Sequence, residues 1–138
     1  MYFTRTMRYI LIFLLLAINL PAQTTDWVKS FGGAASDKGI SIGTDSLGFI
    51  YISGYYNNEA TFGGITLTNS PLSTGGNNKE NFVAKLDSTG DVIWAIPGGN
   101  QQYGCCDDRA LGMHVTPGGD VFITGTFWSS YYLGVRGA

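Results

Sequence analysis

The sequence predicts an all-β protein assembled from a repeated sheet unit. Three observations lead there. Twenty glycines run through 138 residues with no three-residue period, which excludes a collagen helix and disfavours long α-helices. Eight Phe, eight Tyr and three Trp supply large apolar side chains. Two segments separated by 71 positions share one pattern, since Asp37 falls on Asp108, Ile40 on Leu111 and Ile42 on Met113. An apolar share of 44% with 13% charged residues excludes a disordered chain. A formal charge of −2 leaves no electrostatic footprint for nucleic acid.

The first 22 residues read as a secretory signal peptide outside the fold. Arg5 and Arg8 precede an unbroken apolar run, Tyr9 to Ile18. Such a run fits the roughly 7–15 residues of a signal h-region and falls short of the roughly 20 needed to span a bilayer. Leu20-Pro21-Ala22 places a small residue before the expected cut, with Gln23 as the mature start. An uncleaved anchor is the alternative. After cleavage no transmembrane helix is expected, and six basic residues face ten acidic ones. The expected address is the cell surface or the medium.

From Gln23 onward the elements read as strands. Ile40 and Ile42 alternate with small or polar residues, which is the period of a half-buried strand. Phe49 to Ser53 is aromatic and β-branched, Phe82 to Leu86 alternates again, and Val92 to Ile96 is a further run. Asp45 to Gly48, Asp87 to Gly90 and Thr116 to Gly119 separate strands. Glycine in fourth place supplies the positive φ of a short hairpin loop, and Asp bonds the turn's own amides. Gly48, Gly90 and Gly119 are therefore structural, as are Asp45 and Asp87. Residues 55–81 read as one long connection rich in Asn, Gly and Thr. Further matches at the same offset are Ile50 to Val121, Tyr51 to Phe122, Ile52 to Ile123 and Gly54 to Gly125. Gly54 and Gly125 are expected at a bulge or a close backbone approach. Trp27 to Gly33 and Trp94 to Gly99 match upstream. The unit is about 70 residues with four short antiparallel strands, and tandem units of that kind suggest a β-propeller. A sandwich or a solenoid of the same strands is the alternative.

At these residues the chain resembles a family. W-x-x-x-F-G-G (Trp27 to Gly33), D-x-G-I (Asp37 to Ile40) and D-x-x-G-x-I-Y-I-x-G (Asp45 to Gly54) occur in order. A-T-F-G-G (Ala60 to Gly64) and N-F-V-A-K-L-D-x-x-G-x-V-I-W-A (Asn81 to Ala95) follow. Together they are similar to the repeat of the SBBP, or seven-bladed β-propeller, family. The resemblance implies an exported bacterial propeller whose repeats carry no general catalytic set. On that reading residues 23–138 hold about one full blade, the tail strand of a preceding blade and half of a following one. That is an incomplete ring, and further blades are expected from a longer protein.

Few residues stand out for chemistry. Cys105-Cys106 is an adjacent pair in a chain bound for an oxidising compartment. It is a candidate disulfide, a bond to another chain, or a pair of unpaired thiols. Asp107 and Asp108 stand in a Gly-rich loop where calcium is conceivable. No D-x-D-x-D-G loop accompanies them, and a turn-capping role at the start of a strand is the simpler reading. His114, the single histidine, occupies the position of Gly43 in the first unit and reads as a solvated strand residue. Gly32-Gly33 and Gly63-Gly64 read as turns. Tyr55, Tyr56, Trp128, Tyr131 and Tyr132 follow the second strand of each unit and are the candidate ligand-binding residues. Such aromatic side chains stack on sugars or anchor protein partners, and packing between blades is their alternative role.

No catalytic residue, metal or cofactor is expected. The expected function is a non-catalytic exported scaffold binding a protein or a glycan. The alternative is part of a polysaccharide hydrolase or lyase whose catalytic residues lie in other blades.

Overall fold

A computed structural model describes residues 25–69, 79–98 and 107–127. Eight strands follow in order: β1 Lys38–Thr44, β2 Ile50–Asn57, β3 Glu59–Phe62, β4 Ile65–Thr68, β5 Lys79–Leu86, β6 Val92–Gly98, β7 Arg109–Val115 and β8 Val121–Thr126. The described residues contain no helix, and every pairing is antiparallel. One sheet has the order β1-β2-β5-β6, while β3-β4 and β7-β8 are separate hairpins. The fold is thus one complete four-stranded blade followed by the first hairpin of a second.

The three hairpin turns share one geometry. Gly48, Gly90 and Gly119 have φ of 83°, 81° and 90°, the left-handed region that a Cβ disfavours. Each donates its amide back three residues, to the carbonyls of Asp45, Asp87 and Thr116. The first side chain of each turn fastens the loop. Asp45 Oδ1 accepts from the amides of Leu47 and Phe49, Asp87 Oδ1 from those of Thr89 and Asp91, and Thr116 Oγ1 from that of Asp120.

Both units also carry the same irregularity. Register slips between Gly39 and Ser41 in β1, and between Ala110 and Gly112 in β7. The extra residues are Ile40 and Leu111, one repeat apart. Opposite them stand Gly54 and Gly125. A Cβ at Gly54 would collide with the Lys38 carbonyl, and one at Gly125 with the Arg109 carbonyl. The glycines let the bulged strand approach, and the bulge itself lies on their partners.

The connection expected over residues 55–81 holds more structure than its composition suggests. Strand β2 runs on to Asn57, so Tyr55 and Tyr56 lie inside it and not after it. β3 and β4 then form a hairpin around Gly63-Gly64, with Gly63 at φ 60°. Its strands have four residues each, too short for a clear alternating run. They are held by what they cover. Ala60, Phe62 and Leu67 fold over one face of the blade and bury Tyr56, Phe82, Ala84, Leu86 and Ala95. The Phe62 and Phe82 ring centroids lie 4.6 Å apart, and Phe31 stacks on Phe62 at 5.8 Å. At about 25 cal/mol per Å² of apolar surface removed from water, this cluster is the principal source of the blade's stability.

At the far side of the sheet β6 is an edge strand, and Pro97 stands within it opposite Phe82. Proline lacks an amide hydrogen, so sheets tolerate it where the nitrogen faces away from the ladder.

Candidate functional site

The opposite face of the blade receives the second hairpin, and this junction holds most of the polar chemistry in the described residues. Alternation along β2 puts Tyr51, Ser53 and Tyr55 on that face, paired with Lys85, Val83 and Asn81 of β5. Gly43 of β1 lies opposite Tyr51. A Cβ at Gly43 would come within 2.8 Å of Val115 Cγ2 and 3.9 Å of Met113 Cε. The side-chain-free position is therefore the seat for the apolar face of β7.

At the turn end of the junction, Asp45 is the hub. Its side chain is only 3% exposed. Oδ2 accepts from the Tyr51 hydroxyl at 3.0 Å and lies 3.9 Å from Lys85 Nζ. The same ammonium sits 4.1 Å from the Phe49 ring centroid and 5.1 Å from that of Tyr51, and Trp94 meets Tyr51 edge-on at 6.2 Å. Desolvation pushes the Asp45 carboxyl up. The Phe49 amide, the Tyr51 hydroxyl, the Leu47 amide and Lys85 outweigh it and hold the group below its ordinary value. The neighbouring turns are tied directly, because the Ser46 amide and hydroxyl both donate to the Pro117 carbonyl, at 3.1 and 2.8 Å.

At the other end the junction is closed by charge. The Tyr55 ring lies between Lys79 Nζ, 5.7 Å from its centroid, and the Arg109 guanidinium at 5.5 Å. Asp107 pairs with Arg109 and with Lys79, and the Asp108 amide donates to the Lys79 carbonyl. Desolvation works against the Asp107 carboxylate. The bond from Arg109, its charge and that of Lys79 prevail, so the carboxyl sits below its ordinary value.

The structure separates the two tyrosines proposed from sequence as ligand residues. Tyr55 is half-buried in the junction between units. Tyr56 points to the other face and is wholly enclosed. Its hydroxyl donates to Glu80 Oε2 at 3.2 Å, and burial with the adjacent Glu80 charge pushes its pKa far up. A ring in that position is core, and no ligand reaches it. Trp128, Tyr131, Tyr132, Cys105, Cys106 and the signal segment 1–22 lie outside the described residues. Asp37 clamps two segments, accepting from the Gly33 amide at 2.6 Å and the Asn57 amide at 3.0 Å. His114 is exposed and stands opposite Phe122.

Sequence reasoning missed the apolar rim at the turn edge of the sheet. Leu47 is 80% exposed and Val28 82%, and Ile93 and Trp27 join them there. Trp27 anchors the group by donating from Nε1 to the Ser88 carbonyl at 3.0 Å, and Lys29 pairs with Asp91 at 2.8 Å. The signal was Leu47 in a turn otherwise made of Asp, Ser and Gly. Among the described residues no group of three or more His, Cys, Asp or Glu side chains is arranged to hold a metal ion. No helix of these residues is long and apolar enough to cross a membrane.

A family model described as a beta-propeller repeat, SBBP, matches residues 26–58. The match covers the incoming Trp27 segment, β1 and β2, and it carries no blade number. No curated protein and no solved structure matches the chain significantly.

Proposed function

The chain carries an SBBP beta-propeller repeat, and from that premise we propose that it is an exported, non-catalytic scaffold that binds a protein partner through the turn edge of its blades. The observation that carries this reading is the division of labour within the blade. One face is filled by the β3-β4 hairpin and the other by the next unit. The carboxylates of Asp37, Asp45 and Asp87 are occupied by the chain's own amides, and that of Asp107 by Arg109 and Lys79. Among the described residues, the exposed apolar side chains at the turn edge are Leu47, Val28, Trp27 and Ile93, and this rim is the surface offered to a partner. Exposed apolar groups collected beside polar turns favour a protein surface over a glycan. Further blades would extend the rim.

Export is tested by producing the chain with its first 22 residues in a bacterial host. Recovery outside the cytoplasm with Gln23 at the N-terminus supports the reading, and retention with the leader intact overturns it. For the rim, binding of a displayed peptide library is compared between the wild type and Leu47→Ser. Peptides that the wild type selects and the variant loses support a protein partner. A library selected equally by both, or binding to a glycan array that Leu47→Ser leaves intact, overturns it.

A further inference from the structure

The turn edge of the sheet carries charge as well as apolar surface. The β1-β2 and β5-β6 turns stand on the same edge, two strand spacings apart in the order β1-β2-β5-β6, which is about 10 Å. Leu47 belongs to the first turn, and Trp27 and Ile93 stand beside the second. The β7-β8 turn lies on the other side of Leu47, where Ser46 bonds to Pro117. Leu47 is 80% exposed with that second unit in place, because the units stack through the faces of their sheets and the turns stand at the ends. Around these apolar side chains lie the carboxylates of Asp26, Asp91 and Asp120, all exposed. The ammonium groups described at this edge are already engaged. Lys85 is enclosed against Asp45 and the rings of Phe49 and Tyr51, and Lys29 pairs with Asp91 at 2.8 Å. The edge is therefore apolar at its centre and net negative around it.

We propose that the segment docking on this rim is a cationic amphipathic peptide, with apolar side chains seated on Leu47 and Trp27 and with Lys or Arg side chains facing Asp26, Asp91 and Asp120. The inference rests on the protein-partner reading above and adds the chemistry of that partner. Burial of Leu47 and Trp27 supplies affinity but no choice among apolar segments, because the hydrophobic effect has no direction. Charge makes the choice. An anionic segment would bring its carboxylates against three exposed ones, and such like-charge contacts suppress wrong partners. A cationic segment meets an opposite charge on each side of its apolar centre. One short segment reaches both anchors, since about 10 Å is roughly three residues of extended chain. Lys29 sets the strength of the site. Its ammonium already occupies Asp91, so it competes with the incoming cation.

The test is fluorescence anisotropy of labelled peptides titrated with the full chain. The probes are an amphipathic peptide of Leu and Lys, the same peptide with Glu in place of Lys, and the same with Ser in place of Leu. The Leu-Lys peptide should bind, and the other two should bind far more weakly. An exposed ion pair changes affinity about two- to fivefold, so neutralising Asp26, Asp91 and Asp120 together to Asn should weaken the Leu-Lys peptide about tenfold or more. Lys29→Gln should tighten it about twofold, and added salt should weaken it. Glu59→Gln, at an exposed position on the opposite end of the sheet, should change nothing. Thermal melts check that each variant folds, and should the triple variant unfold, the three single substitutions are measured instead. Equal binding of the Leu-Lys and Leu-Glu peptides overturns the proposal and leaves the apolar rim as a protein site. A Leu-Lys peptide that does not bind, or that the Asn substitutions leave unaffected, overturns it too, as does a Ser-Lys peptide that binds as tightly. Failure of the rim reading itself shows separately, as a library that Leu47→Ser selects no differently from the wild type.

Discussion

Replacing Gly43 with alanine places one methyl group between the two units. The new Cβ would stand 2.8 Å from Val115 Cγ2 and 3.4 Å from Val115 Cβ. Carbon atoms settle about 3.5–4.0 Å apart, so the second hairpin must withdraw by roughly 0.7–1.2 Å at that point. Val115 has little room to turn aside, because its branched Cβ restricts χ1. Overpacking of this kind costs about 1–3 kcal/mol. Alanine recovers about 0.4–1 kcal/mol by restricting the unfolded chain, and Gly43 lies outside the left-handed region, so no backbone strain is added. The net loss is about 1–2 kcal/mol. For a domain of this size that is a fall in Tm of roughly 4–16 °C, read by calorimetry or tryptophan fluorescence. The partner variant Val115→Ala removes the colliding methyl. In that background Gly43→Ala should cost nothing or stabilise slightly, a coupling within the range of about 0.5–3 kcal/mol known for residues in contact. If Gly43→Ala leaves Tm unchanged, or costs the same in both backgrounds, β7 does not seat on the blade as described.

Acid should unfold the protein through its turns and its junction. Asp45, Asp87 and Asp107 all have carboxyls held below the ordinary value of 3.8. A lowered folded-state pKa contributes stability that is present above the unfolded value and is lost as pH falls through the folded one. Denaturant midpoints should therefore be flat above about pH 5 and drop below pH 4, and the triple Asp→Asn variant should show a smaller drop. Gly48→Ala and Gly90→Ala share the same backbone penalty of about 1–2 kcal/mol. A Cβ at Gly48 meets nothing within 4 Å, whereas one at Gly90 meets the Trp27 ring at 2.8 Å. Gly90→Ala should be the worse of the two in thermal melts, and Trp27→Ala should remove the difference. Tyr56→Phe deletes a buried donor to Glu80 and should cost about 1.5–3 kcal/mol in urea unfolding. A cost near zero would place the hydroxyl in water.

What the sequence disclosed was local in origin. An Asp or Thr followed three residues later by Gly encodes a turn within four residues. The bulge glycines repeat at the same offset as the strands they serve. What it concealed depended on distant partners. Ala60, Phe62, Ile65 and Leu67 do alternate around Gly63-Gly64, which is a hairpin signal, but strands of four residues are outweighed by the Asn and Thr around them. Tyr55 and Tyr56 are adjacent and chemically alike. Only the strand's pleat, and the hairpin that folds over one side, make the first a junction residue and the second a core residue. The rim of Leu47 and Trp27 is likewise a property of which turns share an edge, and that edge exists only once β5 has paired with β2.

The proline in β6 also bears on how the sheet ends. An open margin of paired strands invites any extended peptide to continue the ladder, which is the first step of fibril growth. At Pro97 such an intruder would find a carbonyl and no hydrogen to share. Its run of backbone bonds would break within a residue or two of that point, and the ring would also hold it away. The outermost strand thus defends the folded chain against accretion on that side.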